Sequence, residues 1–108
     1  MILLACPFLK KPVRVSTERE RHVLAGHGEL AARWPAVIAQ VLADPDEICW
    51  DETGSNTMLL ARWYPHLLQG KFVVVVVVLD ATARQQPWLV TAYVARRWRK
   101  GVVAWRRS

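Results

Sequence analysis

The stretch Trp88 to Lys100, WLVTAYVARRWRK, sets two hydroxyl groups, Thr91 and Tyr93, two residues apart in an apolar run that then turns abruptly basic. It reads either as a core strand with a soluble end or as an active-site strand running into a nucleic-acid grip. Arg96 and Arg97 directly after it can hold phosphates through charge-assisted hydrogen bonds. Trp98 and Trp105 lie among the same cations. Aromatic rings interleaved with arginine can stack single-stranded bases while the cations hold the backbone. They can also anchor a protein interface, or fold back as packing on the sheet, the role expected for at least Trp105. Histidine, the side chain suited to move protons near neutral pH, occurs at positions 22, 27 and 66. His66 sits in a Pro-flanked loop and is read as incidental. Asp44, Asp46 and Glu47 cluster in DPDE, which reads as a helix stop and turn. No Cys/His spacing fits zinc, so no metal and no cofactor are expected.

Charge is distributed unevenly. All nine acidic residues and nine of the fifteen basic ones precede position 96, so residues 1–95 are neutral and the net charge of +6 falls in the last thirteen residues. Such polarity points to an anionic partner at one end of the molecule, with a solvated basic tail as the plain alternative. A length of 108 residues suits a single domain. We divide it into a lead-in over residues 1–12, a core over 13–97 and a basic Trp-containing tail over 98–108. At 53% hydrophobic and 22% charged residues, the composition is that of a folding chain rather than a disordered one. Cys6 and Cys49 do not make a disulfide framework and are expected reduced and buried. The opening MILLAC has no basic n-region, and its apolar run is shorter than the ~7–15 residues of a signal sequence. No run reaches the ~18 apolar residues of a membrane span. A cytoplasmic protein with no membrane partner is expected.

Periodicity supplies the elements that must position these groups. KPVRVS (11–16) alternates as a short strand or extended lead-in. Thr17 with Glu20 resembles a capping box, so a helix should begin near Glu18 and carry His22. Gly26 and Gly28 interrupt it around His27. Trp34, Val37, Ile38, Val41 and Leu42 form the apolar face of a second helix, with Pro35 in its first turn. Four strands follow at 47–52, 57–64, 71–80 and 87–96, joined by short loops. The expected fold is α+β: two N-terminal helices packed on a four-stranded antiparallel meander. The six consecutive valines, Val73 to Val78, do not alternate with polar residues. That strand should be central and covered on both faces. The helices cover one face; the C-terminal segment, a partner or a second copy of the chain must cover the other.

Five blocks in order, RERHVLAGHGEL, ADPDEI, RWY, KFVVVVV and LVTAY, resemble the phage-associated branch of the barnase–EndoU–colicin–RelE nuclease superfamily. The resemblance spans roughly Val13 to Arg97. In that branch the first helix reads as a histidine and an apolar pair followed by RHPE. Here His22-Val23-Leu24 matches the first part, and His27 and Glu29 match the second, while Gly26 and Gly28 replace its Arg and Pro. The replacement removes a cation next to the implied site.

The resemblance implies a barnase/RelE-like fold and a metal-independent endoribonuclease of toxin or phage-defence type. Its chemistry would be attack of the RNA 2′-OH on its own phosphodiester, leaving a 2′,3′-cyclic phosphate. That reaction needs a general base, a general acid and donors or cations for the phosphorane charge. His22, His27, Thr91 and Tyr93 would be catalytic. Arg62, Tyr64, Lys71, Arg96 and Arg97 would bind substrate. RNA would be the partner, with an acidic antitoxin or immunity protein capping the basic end. Two other readings stand beside it: a catalytically silent RNA- or protein-binding domain, and a small structural protein that homodimerises through its valine sheet.

Overall fold

A computed structural model describes residues 1–26, 28–52, 56–79, 86–98 and 101–107. The strands are β1 (Ile2–Leu4), β2 (Val13–Val15), β3 (Glu47–Trp50), β4 (Thr57–Tyr64), β5 (Lys71–Leu79), β6 (Pro87–Ala95) and β7 (Val102–Arg106). The helices are α1 (Thr17–Gly26), α2 (Gly28–Ala31) and α3 (Ala36–Ala43). All the strands join one sheet in the order β1-β2-β6-β5-β4-β3-β7.

This corrects the expected architecture. The sheet has seven strands rather than four, it is mixed rather than antiparallel, and three short helices replace two. The β2–β6 pair is parallel, in register at Arg14 and Trp88. Two of the added strands come from segments read as a lead-in and a tail. Ile2–Leu4 pairs antiparallel with Val13–Val15, and Val102–Arg106 pairs antiparallel with β3. ILL and VVAWR do not alternate apolar with polar residues, so nothing in their own pattern announces a strand. They are held by backbone pairing to partners far away in sequence, which local pattern does not carry.

The start of α1 differs from its sequence signal by one residue. Ser16 is the cap: its Oγ accepts from the Arg19 amide at 3.1 Å. This satisfies one of the helix's otherwise unpaired N–H groups. Glu20 is therefore released from capping, and its carboxylate accepts instead from Trp34 Nε1 at 2.7 Å. That bond ties α1 to the segment leading into α3.

One face of the sheet packs against the helices. Ile48, Met58, Leu60, Val73, Val75, Val77 and Ala92 form a continuous core with Val23, Leu30, Ile38, Val41 and Leu42 of the helices. The opposite face is apolar too. Cys49, Leu59, Ala61 and Val74 are buried there beneath Trp98, with Phe72, Val76 and Tyr93 at the margin. The valine strand lies between β4 and β6. Its two faces thus meet different covers, the helices on one side and a C-terminal tryptophan on the other. The tryptophan is Trp98, 7% exposed, rather than Trp105, which is 38% exposed on the edge strand.

Strand β6 changes phase along its length. Val76 pairs with Thr91 but Val77 pairs with Leu89, so Val90 is an extra residue in the ladder. This bulge lets Leu89 and Ala92, three apart, both enter the helix-side core. It turns Thr91 and Tyr93 to the far face.

Candidate functional site

The residues singled out from sequence fall into separate neighbourhoods. Arg62 and Tyr64 share a face of β4 by alternation, and it is the helix side. The Tyr64 hydroxyl donates to Gln40 Oε1 of α3 at 2.6 Å, and Arg62 Nη1 donates to Asp44, the residue that ends α3, at 2.8 Å. Tyr93 packs in the far-side cluster, and Thr91, two residues before it, shares that side. The four do not converge. His22 is exposed on α1, in the helix layer and across the sheet from Thr91 and Tyr93. Its partner in the expected acid–base pair, His27, lies outside the described residues. Lys71 opens β5, and its ammonium donates to the carbonyls of Leu68 and Gly70 at 2.9 and 3.3 Å, bracing the turn from β4 to β5. Burial pushes both phenols up from their usual value. For Tyr64 the Arg62 charge opposes the rise, and for Tyr93 the Asp51 charge adds to it. Both therefore stay neutral hydroxyls rather than phenolates.

The basic end resolves into paired and unpaired cations. Arg107 Nε donates to Asp46 at 3.0 Å, and its Nη2 donates to the Asp44 carboxylate. Arg106 Nε donates to Glu47 at 3.1 Å. With the Arg62–Asp44 bond, those of Arg107 make one network that joins β4, the end of α3 and the residue after β7, while the Arg106–Glu47 pair separately ties β7 to β3. Hydrogen bonds from Arg107, then from Arg62, hold the Asp44 carboxyl below its ordinary value. The bonds that Arg107 donates to Asp44 and Asp46 raise its own value. Arg106 and Arg107, two of the arginines that gave the C-terminal segment its basic appearance, are therefore structural.

Arg96 and Arg97 are different. Both are exposed at the end of β6, and neither has an ion pair among the described residues. With Trp63 and Gly70 they line a shallow depression of about 550 Å³. The Trp63 indole is 41% exposed, yet it is fixed from two sides. Phe72 meets it edge-on at a centroid distance of 5.0 Å. Gly70 lies so close that a Cβ there would come within 2.7 Å of the ring. Gly70 also has φ +103°, a left-handed conformation that favours glycine. A braced, exposed aromatic thus stands beside two guanidinium groups that have no ion pair among the described residues.

A second concavity, of about 710 Å³, opens on the helix side of the same end. Arg33, Val37 and Gln40 fall at i, i+4 and i+7, so they share one stripe along α3 and the turn before it. The other wall comes from Tyr64, His66 and Leu67. Arg33 was not singled out from sequence, and His66 was read there as incidental. Arg33 precedes the periodic part of its helix, and His66 gains meaning only when the β4–β5 turn folds against α3. Among the described residues no group of three or more His, Cys, Asp or Glu could hold a metal ion. No helix among them is long and apolar enough to cross a membrane. Comparison with known proteins returns no matching family, no matching curated protein and no matching solved structure.

Proposed function

We propose that this protein binds single-stranded RNA at the end of its sheet where β4 and β6 finish. The observation that carries the reading is the fixed, exposed Trp63 indole beside Arg96 and Arg97, which are free of ion pairs among the described residues. A base can stack on the indole while the two guanidinium groups hold adjacent phosphates. Stacking of this kind contributes about 1–3 kcal/mol per base and tolerates sequence. The expectation of an RNA partner from the resemblance agrees with this chemistry. Binding is favoured over cleavage because His22 lies across the sheet from Thr91 and Tyr93, so the described residues offer no assembled acid–base pair there.

The test is fluorescence anisotropy with a labelled single-stranded RNA, its DNA counterpart and a duplex, repeated over a salt series in EDTA. The single strands should bind in preference to the duplex, with RNA the tighter. The slope of log K against log salt should be about −1.4 for two phosphate contacts. Trp63→Ala should weaken binding ~5-fold or more. Arg96→Ser with Arg97→Ser should flatten the salt dependence. RNA recovered from the wells should be intact. Salt-insensitive binding, or full affinity in both variants, would reject the interface. Cleaved RNA with cyclic-phosphate ends would return the endoribonuclease reading in place of simple binding.

A further inference from the structure

The helix-side concavity has a donor pattern that selects its ligand. The Tyr64 hydroxyl donates to Gln40 Oε1 at 2.6 Å, which orients the amide oxygen toward Tyr64 and leaves the NH₂ group to donate. Arg33 adds a guanidinium, and His66 an imidazole that can donate from a ring N–H. Neither Arg33 nor His66 has a partner among the described residues. Beneath this rim the wall is apolar, formed by Val37 and Leu67, 6% and 3% exposed. A volume of about 710 Å³ lies within the ~300–1,000 Å³ usual for small-molecule sites. A rim rich in donors above an apolar floor suits a flat body carrying an anionic group. Trp63 and Tyr64 are neighbours on β4 whose side chains leave opposite faces of the sheet, so this concavity and the Trp63 surface share one strand end.

We infer that the concavity bounded by Arg33, Gln40, Tyr64 and His66 is a mononucleotide subsite, with a base against Val37 and Leu67 and a phosphate held by Arg33 and His66. The choice of a nucleotide over another flat anion rests on the RNA-binding reading above. A strand stacked on Trp63 that turns over the β4–β5 loop would deliver a nucleotide here.

Isothermal titration with the four nucleoside 5′-monophosphates, and separately with inorganic phosphate, tests the subsite on its own. The Gln40 side-chain amide signal, followed by NMR, locates the binding. At least one mononucleotide should bind and shift that signal. Arg33→Ala should weaken binding ~10-fold or more, since a charge-assisted bond is lost. Gln40→Glu keeps the size and the acceptor for Tyr64 but replaces the outward donor with an anionic oxygen, so it should abolish binding. Arg21→Ala removes an equal charge from the exposed surface of α1 and should bind as the wild type does. Thermal melts of all variants should coincide. Failure of every nucleotide, or full binding by Gln40→Glu, overturns the subsite. Inorganic phosphate displacing the nucleotides with equal affinity overturns the base-binding part. If mononucleotides fail while labelled RNA still binds, only this inference falls. If mononucleotides bind and RNA does not, the Trp63 surface is the error and the subsite stands.

Discussion

Trp98 and Trp105 stand seven residues apart in the same basic segment, and replacing each with alanine should have very different consequences. Trp98 is 7% exposed and lies over Cys49, Leu59, Ala61 and Val74. A buried tryptophan removes roughly 150–250 Å² from water. At ~25 cal/mol per Å² that corresponds to about 4–6 kcal/mol, an upper estimate because the unfolded chain already buries some of this area. Trp98→Ala should therefore cost ~3–5 kcal/mol, in the range for large aromatic-to-alanine changes in cores. Trp105 is 38% exposed on an edge strand, and its loss should cost about 1–2 kcal/mol. Urea unfolding followed by circular dichroism reads both, with the slope of free energy against urea checked for constancy. A domain with ~5–15 kcal/mol of stability could lose much of its folded population in Trp98→Ala, so Trp98→Phe serves as a milder member of the series and should fall between. A second readout is chemical. Cys49 is 1% exposed beneath the indole, so its thiol should react with Ellman's reagent faster in Trp98→Ala, whereas Trp105→Ala should leave the rate near that of wild type. A cost below ~1 kcal/mol for Trp98→Ala, or a larger cost for Trp105→Ala, would refute the assignment of Trp98 as the cover of the far face.

Two further outcomes follow from the same geometry. A Cβ on Gly101 would meet the Trp50 carbonyl oxygen at 1.8 Å, at φ +124°, whereas one on Gly26 would meet nothing within 4 Å. Gly101→Ala should lower the melting temperature and raise amide exchange across β7, and Gly26→Ala should leave stability unchanged or raise it by ~0.4–1 kcal/mol. The depressed Asp44 carboxyl links the ion network to pH. Its contribution to stability is fully present above the unfolded carboxyl value of about 3.9 and is lost as pH falls through the lower folded value. Melting temperatures measured from pH 6 down to pH 2 should therefore converge between wild type and Asp44→Asn at the acid end and differ above pH ~4.

Sequence periodicity found the elements that have room to show it. Val37, Ile38, Val41 and Leu42 of α3 and Val73, Val74, Val75 and Val77 of β5 are core residues, because a buried stripe or a run of β-branched residues repeats often enough to be read. It did not find the sheet order. The three residues of β1 and the five of β7 are strands only because Val13–Val15 and Glu47–Trp50 pair with them. The relative placement of the candidate site residues was not legible for a related reason. Simple alternation allows Thr91 and Tyr93 to face Arg62 and Tyr64, but the faces of two strands are matched only by their shared register. The bulge at Val90 and the pairing through β5 set them on opposite sides.

Charge was legible in amount but not in role. Sequence assigns the whole excess to the last thirteen residues, and a segment so basic reads as a ligand-binding tail. Folding brings Arg106 and Arg107 back against Glu47, Asp44 and Asp46, about sixty positions earlier in the chain. The acidic DPDE turn that read as a helix stop thereby becomes the anchor of β7. The neutral first 95 residues and the cationic end are in this respect complementary halves of one structure. Among the described cations of the last thirteen residues, Arg96 and Arg97, beside an aromatic ring that the fold braces but leaves open, are the two without an ion pair.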